Sequence, residues 1–215
     1  PVMHNYVIIT DSTCDLSPKL VETMQVEVIP MEFTIEGKSS RNYPDNHDLD
    51  PADFYANLRG GAMATTAQVT TLTYTEVAKK FLDAGQDVLF FICSSGLSGS
   101  FISSRLAAEE LRHKYPERAV RTVDSLAASM GEGLLVYHAA MRRLAGDSLN
   151  EVADWVEQNR NRLCHWFTVD DLGHLKRGGR ISPAVALVGT MLGIKPVMHM
   201  DNEGHLVKVG AAKGR

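Results

Sequence analysis

The chain has 215 residues, of which 44% are hydrophobic and 22% charged, and its formal net charge is −4. That size and balance describe an ordinary globular protein of one to one and a half domains, and an acidic chain without a basic block argues against a nucleic-acid partner. Cys14, Cys93 and Cys164 are far apart and form no CxxC pair, so neither a disulfide framework nor a zinc site organises the fold, and a reducing cytoplasm fits. The N-terminus runs straight into an apolar strand without a secretory pattern. The most apolar stretch, 184–194, is about half a membrane span. These features predict a cytoplasmic protein with no stable membrane insertion.

In chain order, Tyr6-Val7-Ile8-Ile9-Thr10 reads as a buried strand ended by Asp11-Ser12-Thr13. Ser17-Pro18 opens a helix to about Met24, with proline at the first helical position. Val26 to Met31 reads as a second strand, and Glu36 to Asp50 as a polar surface loop. Asp50-Pro51 starts a helix through Arg59, closed by Gly60-Gly61. Ala64 to Thr71 is a hydroxyl-rich loop before a helix with Thr73-x-x-Glu76 as capping box and Val77, Phe81 and Leu82 turned inward.

Val88-Leu89-Phe90-Phe91-Ile92 is the next strand, followed by Cys93-Ser94-Ser95-Gly96-Leu97-Ser98-Gly99-Ser100 and a helical pattern from Phe101 to Lys114. Four hydroxyls and two glycines thus stand where a helix begins. Free N–H groups and the positive end of the helix dipole make such a place suit an anion. A further strand, Ala119 to Val123, ends in Asp124-Ser125 and leads to a helix from about Leu126 to Ala145. Ser148-x-x-Glu151 caps another, with Val152, Trp155 and Val156 inward. Strands alternating with helices predict an α/β fold with a largely parallel sheet and flanking helices. Asp11-Ser12, Ser94-Ser95 and Asp124-Ser125 all fall at C-terminal strand ends, where open α/β sheets bind ligands.

The last fifty or so residues change character. His165 to Val169 is a strand and Asp170 to Leu175 a helical turn, followed by the cationic loop Lys176-Arg177-Gly178-Gly179-Arg180. Pro183 to Leu192 reads as an apolar helix, and Lys195–Met200 with His205–Val209 as a hairpin around Asp201-Asn202-Glu203-Gly204. The expected division is an N-terminal α/β domain over residues 1–163 and the start of a smaller, incomplete α/β domain over 164–215.

Several chemistries fail on spacing. A nucleophile elbow needs G-x-S-x-G, and Gly96-Leu97-Ser98-Gly99-Ser100 ends wrongly. Neither a phosphate-binding loop nor a dinucleotide fingerprint is present. The eight histidines are scattered, and Asp11, Asp124, Asp170 and Asp171 are better read as helix caps than as metal ligands. Lys176 and Arg177 read as a solvated turn. Arg180 precedes Ile181 and the apolar helix, so its guanidinium wants an anionic partner. Hydroxyls, an arginine and a greasy helix together point to an amphiphile, with a carboxylate on the hydroxyls and an acyl tail between the domains.

The chain also resembles a known family. The matching stretches are Asp11-Ser12-Thr13-Cys14-Asp15-Leu16, Val28-Ile29-Pro30-Met31, Thr66-Ala67-Gln68, Ser94 to Ser100, Val123-Asp124-Ser125, Leu175 to Ser182 and Ile194-Lys195-Pro196-Val197. In this order they resemble the DegV family of fatty-acid-binding proteins. The resemblance implies two α/β domains with a long-chain fatty acid between them. It puts the acyl carboxylate on Thr66 and Ser98, with Arg180 at the same polar end. Ser94 and Ser95, in the same loop as Ser98, complete the expected ligand-binding set and shape the loop's turn, while Ser100 caps the following helix. The resemblance implies no cofactor, no metal and no catalysis by the chain itself. Some members present the bound acid to a fatty acid kinase that makes acyl-phosphate for phospholipid synthesis. Three departures are visible: Ala67 and Val69 replace the family's usual serine and proline; Gly210-Ala211-Ala212 replaces an arginine-led stretch; and nothing in residues 1–215 matches the family's His-Thr-Gly-type segment. A small-molecule serine hydrolase using the serine loop, and a regulatory or interaction protein that keeps the fold without ligand, are the alternative readings.

Overall fold

The computed structural model describes residues 5–182, 185–186 and 194–214. The chain opens with β1 (Tyr6–Asp11), a 3-10 turn (Ser12–Cys14), α1 (Pro18–Met24), β2 (Glu27–Ile29), β3 (Met31–Ile35) and β4 (Lys38–Asn42). It continues through α2 (Pro51–Arg59), β5 (Ala64–Thr66), α3 (Thr71–Asp83), β6 (Asp87–Ile92), α4 (Ser100–Lys114) and β7 (Val120–Asp124). α5 (Ser129–Ala145), α6 (Leu149–Asn159), β8 (Trp166–Phe167), α7 (Leu172–Arg177), β9 (Ile194–Met200) and β10 (Leu206–Lys213) complete it.

The centre is a four-stranded sheet in the order β2-β1-β6-β7, parallel throughout. Its inner strands carry the unbroken apolar runs 6–9 and 88–92 because both faces are covered. Alternate residues go to opposite sides. Ile8, Leu89, Phe91 and Val123 join a core with Val136 and Ala140 of α5 and Val152 and Val156 of α6. Val7, Ile9, Phe90 and Ile92 join a second core with Tyr74 and Ala78 of α3 and Ala107 and Leu111 of α4. The expected α/β class is the observed one.

Two smaller antiparallel sheets flank the C-terminal edge of the first. β4-β3-β5 is built from a stretch read as the tail of one strand and two polar loops. The expected strand Val26–Met31 breaks at Pro30, so that Glu27–Ile29 stays parallel to β1 while Met31 starts another sheet. The expected loops at 36–50 and 64–71 each hold an edge strand, β4 and β5, which β3 pairs on either side. The third sheet is β10-β9-β8, with its hairpin where the Asp201–Gly204 turn signal put it.

Several helix starts follow side-chain caps. Ser17 caps α1 and the Ser148/Glu151 box caps α6. α3 is capped by Thr70, whose side chain accepts the Thr73 N–H, so the helix starts before the expected Thr73-x-x-Glu76 box and Thr73 lies in its first turn. α5 starts at Ser129, three residues later than its apolar pattern implied, because Ser125 bonds the Ala127 backbone in a tight turn first. The apolar helix expected at 183–192 lies outside the described residues apart from Val185 and Ala186. Ala186 is buried with Leu172, Ile181 and Met198.

Candidate functional site

The three sheets meet around a cavity of ≈ 1180 Å³. Its floor is the C-terminal edge of the parallel sheet, represented by Thr13 and Cys93. One wall comes from β3, α2 and the loop before α2, with Met31, Phe33, Leu49 and Phe54. A second comes from the first turns of α5, with Met130 and Leu134, and a third from the last sheet, with Trp166, Phe167, Met200 and Leu206. Phe33 and Phe54 pack edge to face at 5.5 Å, which stiffens the first wall. Met130 and Trp166 are 58% and 61% exposed although they face one another's cavity, so this is apolar surface that an apolar ligand would cover.

Thr66, Ser98 and Arg180 all line this cavity. Thr66 ends β5 opposite Phe33 of β3, so register sets its position. Ser98 sits in the turn between β6 and α4; its N–H donates to Ser94 O at 3.1 Å. Its Oγ donates to Ser100 Oγ at 3.0 Å and accepts the Ser100 N–H at 3.2 Å. Arg180 is exposed, donates through Nε to Leu97 O at 3.3 Å and bonds Gly178 O through Nη1. Both partners are carbonyls, which leaves the positive charge uncompensated by them. The cavity is also lined by the polar side chains of Asp15, Arg41, Asn42 and Asn46, and hydroxyls and guanidinium groups beside apolar walls make a place for one small anion carried on an apolar chain.

Ser94 and Ser95 are not among the cavity-lining residues. The buried Ser94 donates through Oγ to Gly204 O at 2.7 Å. Ser95 donates its N–H to Asp124 Oδ1 at 3.1 Å. Ser100, read as the cap of α4, instead accepts the Val69 N–H at 3.1 Å, and α4 has no side-chain cap. The acids read as caps divide. Asp11 caps the 3-10 turn and Asp171 caps α7, while Asp124 organises the turn after β7 and Asp170 pairs with Lys195 at 3.1 Å. Among the described residues no group of three or more His, Cys, Asp or Glu converges as metal ligands do. Nor is any helix among them long and apolar enough to cross a membrane.

Sequence reasoning missed an acidic pair under the floor. Asp11 and Glu132 are fully buried, and Thr13 bridges them. Thr13 Oγ1 is 2.8 Å from Glu132 Oε2 and also contacts Asp11 Oδ1, while Thr10 Oγ1 donates to Glu132 Oε1 at 3.2 Å. Burial pushes both carboxyls above the usual range, and for Glu132 the neighbouring Asp11 adds to it. The only trace in the sequence is an acid between two glycines, Gly131-Glu132-Gly133, at the start of an apolar helix. His165, also missed, lines the cavity against Gly131; burial and His199 lower its pKa and hold the imidazole neutral.

Known proteins share this architecture. A solved DegV-family protein from Thermus thermophilus, described as binding fatty acid, superposes with a TM-score of 0.83 at 34% identity, over 98% of this chain and 72% of its own. A stearic-acid-binding protein from Eubacterium ventriosum gives 0.83 at 26% identity, over 98% and 71%. A DegV domain-containing protein of Clostridium perfringens is 42% identical over 215 residues, 99% of this chain and 73% of the relative. The family profile described as an uncharacterised protein of the DegV family matches residues 5–215, the stretch that holds all three sheets and the cavity between them: the chain belongs to the DegV family.

Proposed function

We propose that the protein binds a long-chain fatty acid in this cavity, its carboxylate on Thr66 and Ser98 with Arg180 nearby and its acyl chain along the apolar walls. The observation that carries the reading is that Thr66, Ser98 and Arg180, from distant segments, line one cavity together with the apolar side chains of Met31, Phe33, Leu134 and Trp166. The fatty acids named for the Thermus and Eubacterium proteins support it. The energetics agree: burying about a dozen methylenes contributes on the order of 10 kcal/mol before ordering costs. The tail therefore supplies affinity and the hydroxyls orientation. In this reading residues 164–215 begin a second domain that closes over the ligand. The protein is then a carrier, and it presents the acid to a fatty acid kinase as some of its family do. Ser98 exchanges hydrogen bonds with Ser100 and with no base among the described residues, which favours a binding role over a nucleophilic one.

The test is denaturing mass spectrometry of the purified protein followed by titration with oleate. A long-chain acid should be released, and Thr66→Ala or Ser98→Ala should each lose roughly 1.5–3 kcal/mol of affinity, about 10- to 100-fold, with the fold intact. Protein that carries no lipid and binds no oleate would end the proposal.

A further inference from the structure

Ser94 spends every polar atom on holding chain segments together. Its N–H donates to Ala127 O at 2.9 Å, which ties it to the turn after β7. Its carbonyl accepts the N–H groups of Leu97 at 3.0 Å and Ser98 at 3.1 Å, which shapes the turn carrying Ser98. Its Oγ accepts the Gly96 N–H at 3.2 Å and donates to Gly204 O at 2.7 Å, 110 residues away in the turn between β9 and β10. The side chain is wholly buried, so this last bond is shielded from competing water.

The contact is intimate on both sides. Gly204 has φ +81°, and a Cβ there would run into Ser94 Oγ. A Cβ on Gly96 would stand 2.7 Å from the Gly204 carbonyl oxygen. The hairpin turn is held ready for this contact. Asp201 Oδ1 accepts the N–H groups of Glu203 and His205, each at 2.9 Å, and the Gly204 N–H reaches Asp201 O at 3.1 Å. A second tie joins the same loop to the C-terminal part, from Arg180 Nε to Leu97 O at 3.3 Å.

We propose that Ser94 and the Gly204 carbonyl form a clasp that fixes Ser98 relative to the β9–β10 hairpin, which makes Ser94 a positioning residue for the ligand site and the Asp201–His205 turn a working part of it. The clasp sets the distance between the serine loop and the last sheet, whose Trp166, Phe167 and Met200 face the same cavity. Its effect on binding rests on the fatty-acid reading; its existence is testable without ligand.

The experiment compares wild type, Ser94→Ala and Asp201→Ala by hydrogen–deuterium exchange, then by oleate titration. Ser94→Ala should speed exchange about tenfold in segments 94–99 and 200–206 together. Asp201→Ala, which leaves the core untouched, should do the same to 94–99 from the hairpin side. Exchange that rises in one segment and not in the other would overturn the clasp. Ser94→Ala should weaken oleate binding by about tenfold in wild type and by little in a Ser98→Ala background, since the lost positioning then has nothing to position. Equal losses in both backgrounds would mean general loosening and would overturn the positioning role. A wild type that binds no oleate would sink the fatty-acid reading and leave the exchange data to decide the clasp.

Discussion

Thr13 has one hydroxyl proton and stands between two buried carboxyls, Asp11 and Glu132. It can donate to only one of them at a time, so the other contact is best satisfied by a carboxyl that carries its own proton and donates back. The shared donor and the burial of both groups thus favour a proton on the pair at a pH where an exposed aspartate or glutamate has already lost its own. Burial raises both carboxyls, and Asp15 nearby is raised as well, although its bond from Ser129 opposes this. A carboxyl raised in the folded state contributes stability that is complete below its unfolded pKa. That stability erodes as pH climbs toward the folded value, by about 1.4 kcal/mol per pH unit for each proton taken up on folding. Glu132→Gln keeps the shape and hydrogen-bonding capacity without the ionisation. Urea denaturation at pH 5 and pH 8 should show wild type losing more stability over that interval than the variant. A parallel loss in both proteins would refute the shared proton.

Between elements, α5 approaches the backbone of the 3-10 turn after β1 closely. A Cβ on Gly133 would lie 2.5 Å from the Cys14 carbonyl oxygen, while one on Gly131 would lie 2.6 Å from the His165 ring. The first obstacle is backbone and the second is the end of a side chain. Alanine gains about 1 kcal/mol of helix propensity at either position. Against a rigid backbone the overpacking cost is about 1–3 kcal/mol or more, so Gly133→Ala should lower the midpoint of chemical denaturation. Gly131→Ala should leave stability nearly unchanged and instead push His165 into the cavity, weakening oleate binding. The reverse pattern would show that the two contacts are misjudged.

The same elements show what a sequence reveals. β1 and β6 were legible because burial on both faces leaves unbroken apolar runs, 6–9 and 88–92, whereas the edge strand β7 keeps Arg121 and Thr122 between its buried valines. β4 and β5, written Lys-Ser-Ser-Arg-Asn and Ala-Thr-Thr, carry no such pattern and are strands only because β3 pairs with them. Thr66 and Ser98 were nameable from motif resemblance. That they share a cavity follows from the pairing of Phe33 with Thr66, which no local pattern encodes. Glu132 was invisible for the opposite reason: an acid in a helix reads as surface, and only tertiary packing buries it.

For the molecule as a whole, the cavity is where separately built units meet, so an occupant would tie them together. The parallel sheet has two cores of its own, whereas the last sheet is held by a small cluster around Leu172, Ile181 and Met198 and by contacts such as Ser94–Gly204. A ligand touching Phe33, Leu134 and Trp166 at once adds apolar contact between these units that the free protein lacks. Binding only the folded state, it raises stability by RT ln(1 + [L]/Kd), about 2.7 kcal/mol at a hundredfold excess over Kd. For a chain of this length that is a rise in Tm of about 5–10 °C. Trp166 reports occupancy directly, because it lies in the cavity wall while Trp155, the other tryptophan, packs under Arg142. Delipidated protein titrated with oleate should show the Trp166 fluorescence change and the rise in Tm saturating together. With Thr66→Ala/Ser98→Ala both curves should move to higher oleate concentration while the plateau of the fluorescence change persists, since the tail still fills the apolar walls. A rise in Tm without a Trp166 response would place the oleate elsewhere on the protein and defeat the assignment of the cavity.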